Sequence, residues 1–167
     1  MEVKRRQKKL HECSIFLQKL MEREKWIYTK NNMVWIRYRC RVKILLFSDR
    51  KKVFEITNNI IKDWSELIWY KYTDWERKKY PLADIVIIDF DKTNMEGKFL
   101  PIIKVKSKVG DFVPVLAIIN GTPQEIFSVL KAGAYDYITT TGDVEAYKNK
   151  IEDIIRWNWY RKKYGRE

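Results

Sequence analysis

Cysteine, histidine and long apolar runs are all scarce in this sequence: two Cys, one His, and no uninterrupted hydrophobic span. Cys13 and Cys40 cannot build a disulfide framework and read as reduced thiols of a cytoplasmic protein. His11 stands alone, and no Cys-x-x-Cys accompanies it, so no zinc-type cluster can be assembled. No apolar stretch reaches the roughly 18 residues of a membrane helix. The basic start, Met1 to Lys9, has no continuous apolar segment behind it, so a secretory signal is not expected. Internal repeats and low-complexity linkers are also absent from the sequence.

What is present is a core and an uneven charge. Hydrophobic residues make up 46% of the 167, enough to fill one domain. Residues 1–41 carry 12 Lys/Arg against 4 Glu, a net +8. Residues 156–167 carry 5 Lys/Arg against one Glu, a net +4. Residues 42–155 hold 17 charges of each sign, so the whole +12 lies at the two ends. That is the layout of a neutral globular domain with basic appendages. The division expected is a basic helix–hairpin extension over 1–41 and an α/β domain over 42–167 that ends in a long basic helix.

Periodicity supplies the elements. Leu10, Cys13, Leu17, Leu20 and Met21 recur at spacings of three and four, which predicts a helix over 4–24. Trp26-Ile27-Tyr28 and Met33-Val34-Trp35-Ile36 flank Thr29-Lys30-Asn31-Asn32, a hairpin pattern. From residue 42 five apolar strands alternate with helices: Val42–Phe47, Glu66–Tyr72, Asp84–Asp89, Val113–Ile119 and Tyr135–Thr139. The helices are expected after Val53, over Thr73–Tyr80, over Gly97–Lys108, after Thr122, and from Asp143 to about Lys163. Thr122-Pro123-Gln124-Glu125 has the cap, the first-turn proline and the acid three residues on that open a helix. Such alternation predicts a parallel sheet covered on both faces.

Chemistry concentrates at Ile85-Val-Ile-Ile-Asp89-Phe-Asp91-Lys-Thr93. A buried strand ends there in a carboxylate, and carboxyl ends of parallel strands line the ligand crevice. The segment Asp84 to Gly97 resembles the phosphoacceptor strand and loop of two-component response-regulator receiver domains. Pro114-Val-Leu-Ala-Ile-Ile-Asn120 is similar to that family's fourth strand, and Ala132-Gly-Ala-Tyr-Asp-Tyr137-Ile138 to the approach to its fifth. The resemblance covers about two thirds of the chain. It implies a flavodoxin-like, doubly wound five-stranded sheet of order 2-1-3-4-5, no enzyme activity, and a role in phosphorelay signalling. It makes Asp89 the phosphoacceptor-like residue. It also implies weak Mg²⁺ binding by Asp49, Asp89 and the backbone carbonyl of Asp91.

Several positions depart from that pattern. Ser48 stands where the first of two acids would, Ile119 where a hydroxyl would, and Thr140 where the family carries a lysine. Tyr137 matches the aromatic switch position. The lysine's charge-assisted bond to phosphate would be worth roughly 1.5–3 kcal/mol. Its loss, together with a metal ligand, implies an atypical receiver with weak or absent phosphorylation. Partners implied are a histidine kinase or another signalling protein.

Two alternatives share these residues. Asp89-Phe-Asp91-Lys-Thr93 also resembles the Asp-x-Asp-x-Thr signature of haloacid-dehalogenase-type phosphatases, in which the first Asp is nucleophile and the second general acid/base. Those enzymes carry the motif on their first strand, whereas here it falls on the third strand of the α/β domain. Separately, Trp157, Trp159, Tyr160 and Arg161 interleave aromatics with cations near the end of the chain. They form a candidate partner-binding face, either for a homodimer or, through the basic ends, for nucleic acid. The first 40 residues resemble part of a winged helix but lack its recognition helices.

Overall fold

The computed structural model describes residues 25–29, 32–36, 42–76, 79–91 and 100–165. The chain divides into two compact units, Met1–Arg41 and Val42–Glu167. In the first, β1 (Lys25–Thr29) pairs antiparallel with β2 (Asn32–Ile36), Trp26 opposite Trp35 and Thr29 opposite Asn32. The helix expected over 4–24 lies outside the described residues.

The second unit is built on five parallel strands: β3 (Val42–Phe47), β4 (Ser65–Tyr70), β5 (Ile85–Phe90), β6 (Val115–Ile119) and β7 (Asp136–Ile138). Their order is β4-β3-β5-β6-β7, which counted from β3 is 2-1-3-4-5. Among the described residues four α-helices connect or follow them: α1 (Lys51–Ile61), α2 (Leu100–Val109), α3 (Pro123–Lys131) and α4 (Val144–Tyr164). The short helix expected after β4 is a 3₁₀ turn, Tyr72–Glu76, held by the Asp74 carboxylate accepting from the Lys71 N–H at 3.1 Å. The helix expected from Gly97 is present from Leu100; residues 97–99 lie outside the described residues.

The strand sequences are apolar on both faces because helices cover both. Ile44, Leu46, Ile85, Ile87, Leu116 and Ile118 face Val53 and Ile61 of α1 and Tyr147, Ile151 and Ile154 of α4. Their alternating neighbours Leu45, Phe47, Val86, Ile88, Ala117 and Ile119 face Ile102 and Val105 of α2 and Val129 of α3. The period of two therefore decides which end-of-strand residues share a face. Ser48 continues the series of Ile44 and Leu46, and Asp89 that of Ile85 and Ile87, so the two meet. Ile119 belongs to the opposite face.

The capping box at Thr122 is complete. The Thr122 side chain accepts from the Glu125 N–H at 3.3 Å, and Glu125 Oε2 accepts from the Thr122 N–H at 2.8 Å. Thr122→Ala should lower domain stability by about 1 kcal/mol, measured as a shift in the urea midpoint at unchanged slope. An unchanged midpoint would mean the cap contributes nothing.

Candidate functional site

The site lies where β3 and β5 end side by side. Asp89 is the fifth residue of the six in β5 and is only 1% exposed. A carboxylate so buried requires counter-charge and hydrogen bonds. Ser48 Oγ donates to Asp89 Oδ2 at 2.6 Å. Arg50 Nε donates to the same oxygen at 2.8 Å, and Arg50 Nη2 donates to Oδ1. The guanidinium thus grips Asp89 with two parallel bonds, the strongest neutralising geometry a side chain can offer.

Local backbone makes this reach available. Arg50 is the N-cap of α1, in extended conformation, so its side chain leaves the chain before the helix winds away. Arg50 N–H also donates to Ser48 Oγ at 3.0 Å, which closes the loop on itself. The bond to Asp89 raises the Arg50 pKa above its ordinary value, against an opposing effect of partial burial. The guanidinium therefore stays charged at any working pH.

Asp49 points elsewhere. Its Oδ1 accepts from the Tyr72 N–H at 3.0 Å, tying the loop after β3 to the turn after β4. Tyr72 itself lies close to the acids. Its hydroxyl is buried and makes no hydrogen bond among the described residues. Burial pushes this phenol well up, and the charges of Asp89, Asp49 and Asp91 push the same way.

A cavity of about 400 Å³ opens beside the pair, lined by Arg50, Phe90, Asp91, Ile118, Asn120 and the run Thr139-Thr140-Thr141. Thr140 is a wall of it, but its Oγ1 accepts from the Gly142 N–H at 3.0 Å and serves the turn. Ile119 packs in the core, while Ile118 and Asn120 line the cavity. Tyr137 is half-buried against the core on the α2/α3 face. The structure thus sets Asp91 and Thr140 on the walls of one cavity and leaves Asp89, held by the wall residue Arg50, and Asp49, Ile119 and Tyr137 off them. Sequence reasoning missed Arg50, Asn120, Tyr72, Thr139 and Thr141. The signal for Arg50 was its place three residues beyond a strand end, where crevice-lining groups sit.

The arrangement does not fit Mg²⁺. That ion demands near-octahedral oxygen ligands at short distance. Here both Asp89 oxygens are bonded to a fixed cation, and Asp49 is engaged with a backbone amide. Among the described residues no group of three Asp, Glu, His or Cys is placed to hold a metal.

The end of α4 forms a separate surface. Trp157 packs against Tyr135 with the rings tilted by 39° and their centroids 4.5 Å apart. The Arg161 guanidinium lies 4.8 Å from the Trp157 ring and 5.2 Å from that of Phe112, and it donates to the Phe112 carbonyl. Trp159 is half-buried, 5.1 Å from Tyr160 and 6.3 Å from Tyr164. Buried Asn158 donates to the Asp84 carbonyl at 3.0 Å, and Lys162 Nζ pairs with Asp84 Oδ1 at 2.8 Å. Part of the basic tail is therefore engaged in clamping α4 to the sheet. Trp157 and Tyr160 remain exposed, and Arg161 directly follows Tyr160 in sequence.

No family model matches the chain, and no curated protein matches its sequence. Solved structures match its fold. A CheY-like response regulator receiver domain protein from Methanospirillum hungatei is 16% identical, with TM-score 0.60, over 72% of this chain and 98% of its own. A CheY-like protein from Pseudomonas aeruginosa is 15% identical, with TM-score 0.57, over 68% and 99%. The receiver domain of a P. aeruginosa sensor histidine kinase, with magnesium coordinated in its active-site cleft, is 14% identical, with TM-score 0.52, over 70% and 99%. Residues 42–165 thus carry the receiver fold, and the magnesium-bound neighbour contrasts with the Arg50-filled pocket here.

Proposed function

We propose that this chain is an atypical receiver protein of two-component signalling that acts in the cytoplasm through protein–protein contacts, with phosphorylation at Asp89 weak or absent. The observation that carries this is the two-pronged bond from Arg50 to Asp89. Attack on phosphorus needs a free carboxylate lone pair and a metal to offset charge on the phosphoryl oxygens. Two cationic N–H bonds and a hydroxyl withdraw that carboxylate instead. The phosphatase alternative needs the same free Asp89 as nucleophile and gains no support. Among the described residues no helix is long and apolar enough to cross a membrane.

The partner face we assign to Trp157, Trp159, Tyr160 and Arg161, where exposed rings and a cation sit together. Its occupant would be a second copy of the chain or a signalling protein such as a histidine kinase. Nucleic acid is the competing occupant, and steep weakening with salt is its signature.

Incubation with acetyl phosphate and Mg²⁺, followed by intact-mass measurement, tests the reading. The expected result is little or no phosphoryl adduct. Rapid, near-complete addition of one group at Asp89 would overturn it.

A further inference from the structure

We infer that the amino end of the parallel sheet, opposite the Arg50–Asp89 crevice, is a docking surface for an acidic peptide segment with apolar side chains, received by the Arg161 guanidinium and the rings around it. The inference rests on the partner face assigned above and names its occupant. Apolar side chains collect at this end of the sheet. Leu82, Phe112 and Tyr135 lie just before β5, β6 and β7 and are 90%, 67% and 40% exposed. The end of α4 reaches the same edge, because Asn158 and Lys162 bond to Asp84, the residue before β5. It adds exposed Trp157, Tyr160 and Tyr164. Six of the ten large hydrophobic side chains exposed among the described residues therefore belong to one end of the domain. Apolar exposure gathered in this way marks an interaction site.

Charge and ring geometry say what covers it. Arg161 lies against the rings of both Trp157 and Phe112. Its Nη2 donates to the Phe112 carbonyl and, at 3.0 Å, to Asn158 Oδ1. Both partners are neutral, and among the described residues no carboxylate meets this guanidinium, whereas Lys162 beside it has Asp84. The donors on Nε and Nη1 are left for an incoming carboxylate. The rings are meanwhile spent on one another. Trp157 packs on Tyr135, Tyr160 stacks on Tyr164 with 24° between planes, and Trp159 stands edge-on to both tyrosines. Rings paired in this way offer an incoming group their edges, which carry positive potential and suit carboxylates and apolar side chains. A nucleic-acid base needs an open ring face instead. A second copy would bring the same net +4 tail against itself.

The test is binding to the full chain, read by fluorescence anisotropy, of a labelled peptide that alternates Asp/Glu with Leu/Phe. Its Asn/Gln counterpart, an acidic counterpart with Ser in place of Leu/Phe, and labelled oligothymidylate are measured beside it. Saturable binding of the first peptide is expected, about tenfold or more tighter than that of the other three probes. Arg161→Gln and Phe112→Ser should each weaken it about tenfold. Lys131→Gln, which removes the same charge from exposed α3 surface, should leave it within about twofold. Should Arg161→Gln not fold, Phe112→Ser, at an exposed loop residue, carries the same test. Equal binding of the Ser peptide, or an equal loss in Lys131→Gln, would reduce the effect to net charge and overturn the inference. Self-association in sedimentation that Trp157→Ala abolishes would also overturn it, while leaving the protein-contact reading standing. Oligothymidylate binding that Arg161→Gln removes, or a monomer that binds none of the probes, would overturn both.

Discussion

Arg50→Ala should lower the stability of the receiver-fold domain by about 3 kcal/mol, and most of that loss should vanish when Asp89→Asn is present too. The asymmetry of the pair sets the size. Asp89 is essentially sealed, whereas the Arg50 side chain is 47% exposed. Breaking a buried ion pair by deleting one partner costs about 3–5 kcal/mol when the survivor is trapped. Water can enter where the guanidinium stood, so the lower end applies. Asp89→Asn alone leaves Arg50 free to turn into solvent, at a cost of about 1 kcal/mol. The double variant should stay near that level, which gives a coupling of about 3 kcal/mol. Urea denaturation of the four proteins measures it. Strictly additive losses would show that Arg50 and Asp89 do not support each other, and the closed pocket would lose its physical basis.

Much of this was legible in the sequence for definite reasons. Strands buried on both faces have to be apolar throughout, so Ile85 to Ile88 and Val115 to Ile119 announce themselves. Right-handed crossovers then leave few orders for five such strands, and 2-1-3-4-5 is the one observed. Asp89 was visible because a carboxylate ending an apolar run has little structural reason to be there. Arg50 was invisible for the opposite reason. It precedes Lys51 and Lys52, and composition does not say which of three adjacent cations turns inward. That choice comes from extended backbone at the helix N-cap, a tertiary detail. Asp49 misled because its partner is a backbone amide. The pairing of Phe47 with Tyr70 carries the two chains forward together and brings Tyr72 N–H to it. Ile119 misled by one step of the pleat, since the preceding residue, Ile118, is the one in register with Asp89. The basic tail showed as free charge in sequence, although Lys162 is paired with Asp84 and Arg161 is packed between rings.

Above pH 10 the domain should lose about 2.7 kcal/mol of stability per pH unit through two phenols alone. Tyr147 is fully buried between α1 and α4. Thr57 uses its one hydroxyl hydrogen on the Val53 carbonyl at 2.7 Å, so the Tyr147 hydroxyl, 2.8 Å away, donates to Thr57. A phenolate there would be cut off from hydration. Burial accordingly pushes Tyr147 well above the usual phenol value of 10.0; the hydrogen bond with Thr57 works against that rise, and the charge of Asp89 adds to it. Tyr72 is raised in the same direction, first by burial and then by the three nearby acids. The sign follows from proton counting. Both groups are protonated in folded and unfolded chains below pH 10, so their contribution is fully present there. As pH rises past 10 only the unfolded chain can release these protons, which drives unfolding until the raised folded values are reached. Each such phenol contributes a slope of about 1.4 kcal/mol per pH unit. Stability of roughly 5–15 kcal/mol would therefore be largely consumed within a few pH units. Urea titrations between pH 8 and 12 on wild type, Tyr147→Phe and Tyr72→Phe separate the two. Each substitution should halve the alkaline slope. At neutral pH Tyr147→Phe should cost about 1 kcal/mol for its lost hydrogen bond, while Tyr72→Phe, which removes an unpartnered buried hydroxyl, should cost nothing or stabilise. Slopes identical in all three proteins would mean that neither phenol is shielded in the folded chain. The packing of Tyr72 beside Asp49, Asp89 and Asp91 would then have to be redrawn.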